Sequence, residues 1–292
     1  MNAKILLLAL PLVLFSCSNN NNKSDAYGNF EAKEVIVSAE AQGEIITFDM
    51  EEGDLLSQGQ HIGLIDTTQL SIQREQLFAQ KQAVGSKLIS VDAQINVQTE
   101  QVSVLTIEKN RIKKLYKDNA ATKQQVDDIN GKLSVLQKQI EATKSQRSSI
   151  EKEVVVVSKK IKQVEDQINR ALIVNPINGT VLEKYLEANE IAFPGKALYK
   201  IARLDQVDLR VYISGAQLSA VKLGQQVKVF IDNDAKTNKE YSGKIIWISN
   251  QAEFTPKIIQ TKEERVNMVY AVKIRVENDG GIKIGMPGEV KF

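Results

Sequence analysis

Side chains able to carry out covalent or acid–base chemistry are scarce in this chain, and those present are poorly grouped. Its 292 residues include one histidine, His61, and one cysteine, Cys17. Activating a serine or a thiol requires an imidazole beside it, and His61 lies in a polar turn, Gln60-His61. A single cysteine allows no intramolecular disulfide and no thiolate cluster, and a single histidine offers little to a metal site. The acidic pairs Glu51-Glu52 and Asp127-Asp128 read as a turn and a solvated helix face. Gly195-Lys196 lacks the spacing of a phosphate-cradling loop. The formal net charge of +2 demands neither nucleic acid nor a strongly acidic partner. The expectation is a chain that is not an enzyme, with no catalytic residues, no cofactor and no metal. What remains is modification of Cys17 and recognition by surfaces.

Met1 to Lys4 is a short basic stretch, and Ile5 to Phe15 an apolar run. The run is too short for a membrane helix, which needs about 20 residues, but it suits a signal peptide. It ends in Leu14-Phe15-Ser16-Cys17, which looks like a lipoprotein box with Cys17 as the acylated residue. Residues 1–17 are therefore expected to be a lipoprotein signal peptide. Residues 18–29, which begin with Ser18 and four asparagines, are expected to be a flexible leash. No other segment is apolar enough to cross a bilayer.

The elements that would position any surface come next. In residues 67–171, Val126, Ile129, Leu133, Leu136, Ile140, Thr143, Arg147, Ile150, Val154, Val157, Ile161, Val164, Ile168 and Ala171 recur at alternating steps of three and four. That is a 3.5-residue repeat, the mark of a coiled coil. Leu70, Leu77, Val84, Val91, Gln98, Leu105 and Ile112 form the same seam in an earlier arm, with Leu88, Ile95 and Val102 as a second row. Folding the arms about Ala120-Ala121 sets Leu70 against Ala171, Val84 against Val157 and Ile112 against Ile129. Gln98 falls opposite Thr143, near Arg147. The expectation is an antiparallel helical hairpin with a polar layer in mid-shaft.

The flanks of the rod repeat one plan. Residues 30–66 hold Gly43-Glu44-Ile45-Ile46, the acidic turn Glu51-Glu52-Gly53-Asp54 and a glycine turn at Gly59. Residues 172–206 hold Gly179-Thr180-Val181, the turn Glu187-Ala188-Asn189-Glu190 and a glycine turn at Gly195. These stretches resemble the two halves of a lipoyl-like domain, with the helical hairpin where a carrier's lysine hairpin would stand. Lys184 lies inside a half and reads as a solvated strand residue, so a covalent carrier is disfavoured. After the hairpin, residues 207–292 read as short strands at 207–213, 226–231, 241–248, 270–276 and 288–292, with a capped helix from Ser214 to Leu223. This pattern suggests a small β-barrel. The fold class is therefore α+β: a long coiled-coil hairpin inserted in a split lipoyl-like β-domain, followed by a barrel.

This domain order resembles the HlyD-type periplasmic adaptor (membrane fusion protein) family, and the resemblance covers nearly all of the chain beyond the signal peptide. It implies an adaptor that bridges an inner-membrane ABC-type permease/ATPase to a TolC-like outer-membrane channel, as a ring of six copies. It further implies a periplasmic location in a Gram-negative envelope, with the lipid in the inner membrane. Adaptors that dock on such channels share an Arg, a Leu four residues later and a Ser seven beyond that. Arg111, Leu115 and Thr122 occupy those places at the hairpin apex. The run Phe254, Thr255, Pro256 and Lys257 resembles the ABC-exporter-associated branch and would touch the transporter. Because the last predicted strand ends at Phe292, membrane-side work would fall to the barrel, the lipid and the segment from Ala26 to Val37. Two alternatives stand beside this reading: an envelope tether that moves nothing, and an adaptor for a proton-driven (RND-type) pump.

Overall fold

The computed structural model describes residues 24–232, 237–254 and 268–292. The chain divides into two units. One is Val35–Ala202, and the other joins the residues before Val35 to Arg203–Phe292.

Within the first unit, α1 (Thr68–Lys117) and α2 (Lys123–Arg170) form the hairpin. At about 1.5 Å per residue each arm runs about 75 Å. Every predicted seam position is at least partly buried; Val84, Val91, Ile129, Leu133, Leu136, Val157, Ile161 and Val164 are fully so. Asp66 caps α1: its carboxylate accepts from the Thr68 hydroxyl at 2.6 Å and the Thr68 N–H at 2.8 Å. These two bonds hold the Asp66 pKa below its ordinary value. At the apex, Asn119 takes the left-handed φ of 56°, which asparagine tolerates better than most residues. Thr122 then restarts the helix with a capping box: its oxygen accepts from Gln125 N–H at 3.2 Å, and the Gln125 side chain accepts from Thr122 N–H at 2.8 Å.

The mid-shaft layer differs from the expected one. Thr143 is buried, but its hydroxyl donates to the Gln139 carbonyl of its own helix at 2.9 Å. Gln98 Oε1 is buried without a hydrogen-bond partner. The cross-helix tie is instead Arg147, which donates to Asp92 of α1 at 2.6 Å and also pairs with Glu151. A 3.5-residue pattern locates polar residues in the seam, but it does not say which rotamers meet. Gln98→Leu should therefore stabilise the hairpin by about 1 kcal/mol, because it removes an orphaned buried acceptor. Thermal unfolding followed by helical circular dichroism reads the change, and a lowered midpoint would contradict it.

The rest of this unit is two four-stranded sheets. They are built from β2 (Glu34–Ser38), β3 (Gly43–Phe48), β4 (Leu55–Leu56) and β5 (His61–Ile65) before the hairpin, and β6 (Leu172–Val174), β7 (Gly179–Lys184), β8 (Ile191–Ala192) and β9 (Ala197–Ala202) after it. The halves interleave: one sheet runs β2-β9-β7-β4 and the other β6-β5-β3-β8. Strands β3, β4 and β5 recur 136 residues later as β7, β8 and β9 (179 less 43, 191 less 55, 197 less 61). The turn hydrogen bonds recur at the same offset. Ile45 N–H bonds the Glu190 carbonyl as Val181 N–H bonds that of Asp54, each at 2.9 Å. Asn175 N–H bonds the Gln60 carbonyl as Ala39 N–H bonds that of Lys196, each at 2.8 Å. The sheets therefore carry an internal two-fold repeat, and each half supplies partners that the other lacks. Ile45, Ile62, Ile65, Ile173, Val181, Leu198, Tyr199 and Ile201 fill the space between them.

In the second unit, β1 (Ala26–Glu31) joins β10 (Gln206–Ser214), β11 (Gln226–Asp232), β12 (Asn238–Ile248), β13 (Glu253–Phe254), β14 (Met268–Glu277) and β15 (Pro287–Lys291). The order β10-β1-β15-β11-β12-β14 closes through a β10–β14 pairing, which makes a six-stranded barrel with β13 added beside β14. Phe30, Leu209, Ile213, Val229, Ile245, Ile274 and Val290 pack inside. Four expectations are corrected here. The leash predicted at 18–29 overlaps strand β1, whose buried Ala26 and Phe30 alternate with exposed Tyr27 and Asn29. Residues 30 and 31 thus belong to the barrel, not to the first lipoyl-like half, and the barrel predicted at 207–292 is discontinuous. Gly28 shows how tightly β1 is held: a Cβ there would lie 1.7 Å from the Arg210 carbonyl oxygen. The helix expected from Ser214 to Leu223 is a single 3₁₀ turn, Leu218–Ala220, because Gln217 and Gln225 bond back to Ser214 and Lys222 and hold the backbone in turns.

Candidate docking site at the hairpin tip

Arg111 and Leu115 are four residues apart in the last turns of α1, so they share one face of the helix. Leu115 is 42% exposed, with Tyr116 beside it 44% exposed. Among the described residues the Arg111 side chain pairs only with Glu108 of its own helix, at 2.6 Å, in an exposed i,i+3 contact. Such a pair contributes at most about 1 kcal/mol and yields readily to a better acceptor. Thr122 is committed as the N-cap of α2, and its hydroxyl hydrogen remains free to donate. Lys113, Lys114, Lys117 and Lys123 are exposed around them. Lys114 and Lys117 also suit the negative end of the α1 dipole, so the basic character serves the helix whatever else it does. The result is an apolar knob beside a guanidinium, rimmed by lysines.

The other predicted site residues stand apart from this one. Cys17, Thr255, Pro256 and Lys257 lie outside the described residues, and Phe254 ends strand β13. That strand is tied to the barrel by Glu253, which accepts two bonds from Arg210 at 2.9 and 3.0 Å. His61 is exposed. Among the described residues there is no group of histidine, cysteine and carboxylate side chains able to hold a metal, and no helix long and apolar enough to cross a membrane.

Sequence reasoning missed two centres that hold the sheets. Lys184 is not a solvated strand residue. Its side chain is only 5% exposed and bonds Glu187 at 2.7 Å and Glu51 at 3.1 Å, over the ring of Phe48. Desolvation lowers its pKa, but hydrogen bonds to and the charges of Glu187 and Glu51 outweigh that and raise it overall. Lys184 and Phe48 occupy equivalent places in the two halves, so a salt bridge and a cation–π contact meet between the repeats. Asn175 is fully buried. Its amide donates to the carbonyls of Ile177 at 2.6 Å and Ser57 at 2.8 Å, and its oxygen accepts from the buried Tyr199 hydroxyl at 2.9 Å. The available signal was the constant offset, which sets Asn175 and Tyr199 against the small Ala39 and Gly63. A third tie is Arg170, which bonds Asp166 of α2 and Glu40 in the bend between β2 and β3.

A long helical hairpin inserted in a β-sandwich, with a β-barrel in the same chain, is an architecture shared with solved proteins. MacA from Actinobacillus actinomycetemcomitans aligns over 91% of this chain and 76% of its own, with TM-score 0.57 and 22% identity. A MacA-MexA chimera containing the Pseudomonas aeruginosa MexA α-hairpin domain gives TM-score 0.50 at 23% identity, over 91% of this chain and 76% of its own. The periplasmic adaptor protein EmrA aligns over 92% of this chain and 97% of its own at 15% identity, with TM-score 0.49. No protein-family model matches the chain. In sequence, the UPF0194 membrane protein YE2891 of Yersinia enterocolitica is 34% identical over 121 residues, 41% of this chain and only 36% of the relative. A UPF0194 membrane protein of Citrobacter koseri is 27% identical over 302 residues, 94% of this chain and 90% of its own. At 22% and 23% identity, the likeness to MacA and to the chimera, with TM-scores of 0.57 and 0.50, establishes the shared fold.

Proposed function

We propose that this chain is the periplasmic adaptor of a tripartite exporter, joining an inner-membrane ABC-type transporter to a TolC-like outer-membrane channel. The observation that carries the reading is the tip: Arg111 and an exposed Leu115 on one face, with Thr122 at the restart, about 75 Å along a hairpin that leaves a β-sandwich. A leucine knob seats in a groove between channel helices while the guanidinium donates to carbonyls or carboxylates. The sandwich is read as a split lipoyl-like domain whose lysine hairpin has been replaced by the rod. Lys184, buried and doubly ion-paired, is unfit for the modified lysine of a carrier. Cys17 is assigned the lipid anchor, in the inner membrane, and the run from Phe254 to Lys257 the transporter contact in the ABC-associated manner. Energy comes from the transporter; the adaptor's work is mechanical, as a ring of copies that seals a conduit.

The test is recovery of partners. The full-length lipidated chain, crosslinked in its own envelope and purified, should bring down an ATP-binding subunit with its permease and an outer-membrane channel. Recovery of neither would leave the tether reading in its place, and recovery of a proton-driven pump would overturn the ABC assignment alone.

A further inference from the structure

The outer wall of the barrel carries a row of aromatic and acidic side chains that neither the docking tip nor the sandwich involves. Strand register fixes the row. Tyr212 of β10 lies opposite Tyr27 of β1, Tyr27 opposite Glu289 of β15, and Glu289 opposite Phe230 of β11. Their chain neighbours Val211, Ala26, Val290 and Val229 are buried in the barrel core, so these four side chains point outward. Tyr27 is half-exposed. Together with Pro287 and Asp232 the four line a cleft of about 560 Å³. That is within the ordinary range for small-molecule sites.

Spacing and charge together decide the occupant. Tyr27 and Phe230 are two strands apart, about 10 Å at about 4.8 Å per strand, with Glu289 between them. A group seated over Glu289 therefore has an aromatic ring about 5 Å away on either side, the separation at which a cation is drawn to a ring face. The row already holds one such contact: the Arg210 guanidinium lies 5.8 Å from the Tyr212 ring centre. Glu289 supplies the charge. Ser24 donates to one of its oxygens at 2.6 Å, and among the described residues no cation pairs with it. Of the other charges lining the cleft, Arg210 donates twice to Glu253, at 2.9 and 3.0 Å, and Glu31 accepts from Lys273 at 3.0 Å. Asp232 adds a second carboxylate, while Lys291 and its cross-strand neighbour Lys228 stand outside the lining. The geometry points to a site for a small organic ammonium cation, held by the charge of Glu289 and the rings of Tyr27 and Phe230. A quaternary ammonium suits it best, since such a group carries charge without N–H donors that would each need an acceptor. Binding of this kind requires nothing of the docking tip or of a partner protein.

Calorimetric titration of the full-length protein with choline tests the site. The comparison is the uncharged analogue in which carbon replaces the choline nitrogen. Choline should bind, and the uncharged analogue at least about tenfold more weakly. Glu289→Gln, which keeps the shape and removes the charge, should weaken choline about tenfold or more, and Tyr27→Leu, which keeps an apolar side chain and removes the ring, should do the same. Both substitutions are on the outer wall, and an unchanged thermal midpoint checks that the barrel is intact. Equal binding of choline and its uncharged analogue would reduce the cleft to an apolar groove and overturn the proposal. So would choline binding that survives both substitutions, or no choline binding by folded wild-type protein. Tighter binding of butylammonium than of choline would mark a contact for a partner's lysine instead, and would overturn the assigned ligand.

Discussion

Leu115→Asp is expected to abolish export while the hairpin stays folded. Leu115 is 42% exposed and lies outside the seam, so its replacement should change stability by no more than about 0.5 kcal/mol. A small further cost comes from placing a negative charge near the C-terminus of α1. At a docked tip the same change puts an uncompensated carboxylate where a leucine filled an apolar groove. That costs about 3–5 kcal/mol, more than about a hundredfold in affinity. Export of any cargo should fall to the level of a strain lacking the adaptor, with helical content and unfolding midpoint unchanged. Arg111→Ala should be milder, because on docking the guanidinium would have to give up its exposed pair with Glu108. Wild-type export by Leu115→Asp protein would sink tip docking.

The largest stability effect is expected at Asn175. Replacing it with alanine removes two donors and one acceptor from a site with no solvent access, leaving the Tyr199 hydroxyl and the carbonyls of Ile177 and Ser57 without these partners. Burial already pushes the Tyr199 pKa well above its ordinary value, so the hydroxyl stays protonated and needs an acceptor. An orphaned buried hydroxyl, two weakened carbonyl contacts and a small cavity together cost about 3–5 kcal/mol. Tyr199→Phe alone should cost about 1 kcal/mol, and the double variant less than the two losses added, since the orphan is removed with its partner. Urea unfolding of the three variants measures this. A loss below about 1 kcal/mol for Asn175→Ala would show that the amide network is not what locks the halves together.

The hairpin was legible because its stability comes from a periodic seam, and periodicity is written in one dimension. The steps of three and four through Val126, Ile129, Leu133 and Leu136 predicted burial residue by residue. The barrel was less legible because its first strand has its partners far along the chain. Ala26–Glu31 is short and follows an asparagine run, and nothing near it shows that Tyr27 will lie opposite Tyr212 and Glu289. Lys184 was misread for a related reason. A lysine in a strand is solvated unless acids from elsewhere close over it, and Glu51 comes from the other half of the repeat. In the mid-shaft, pattern placed Gln98 opposite Thr143, but side-chain direction decided that neither bonds the other. At the tip the residue types and spacing were readable, and the structure adds that Leu115 is bare and Arg111 only loosely held.

The barrel's first strand has a consequence for biogenesis. Ala26 pairs with Val290, and Tyr27 with both Glu289 and Tyr212. The chain is thus nested like brackets: barrel strands enclose the sandwich halves, which enclose the hairpin. A polypeptide emerging from its N-terminus can complete the innermost pair first, by local helix contacts, then the sandwich, and the barrel only when β15 arrives. Contacts of such long sequence separation form slowly. β1 has no partner until β10 is made and keeps one edge open until β15 arrives, the kind of segment that invites association with the wrong strand. Loss of β15 would open the barrel there, leaving β1 paired with β10 alone and one edge of β11 without a partner.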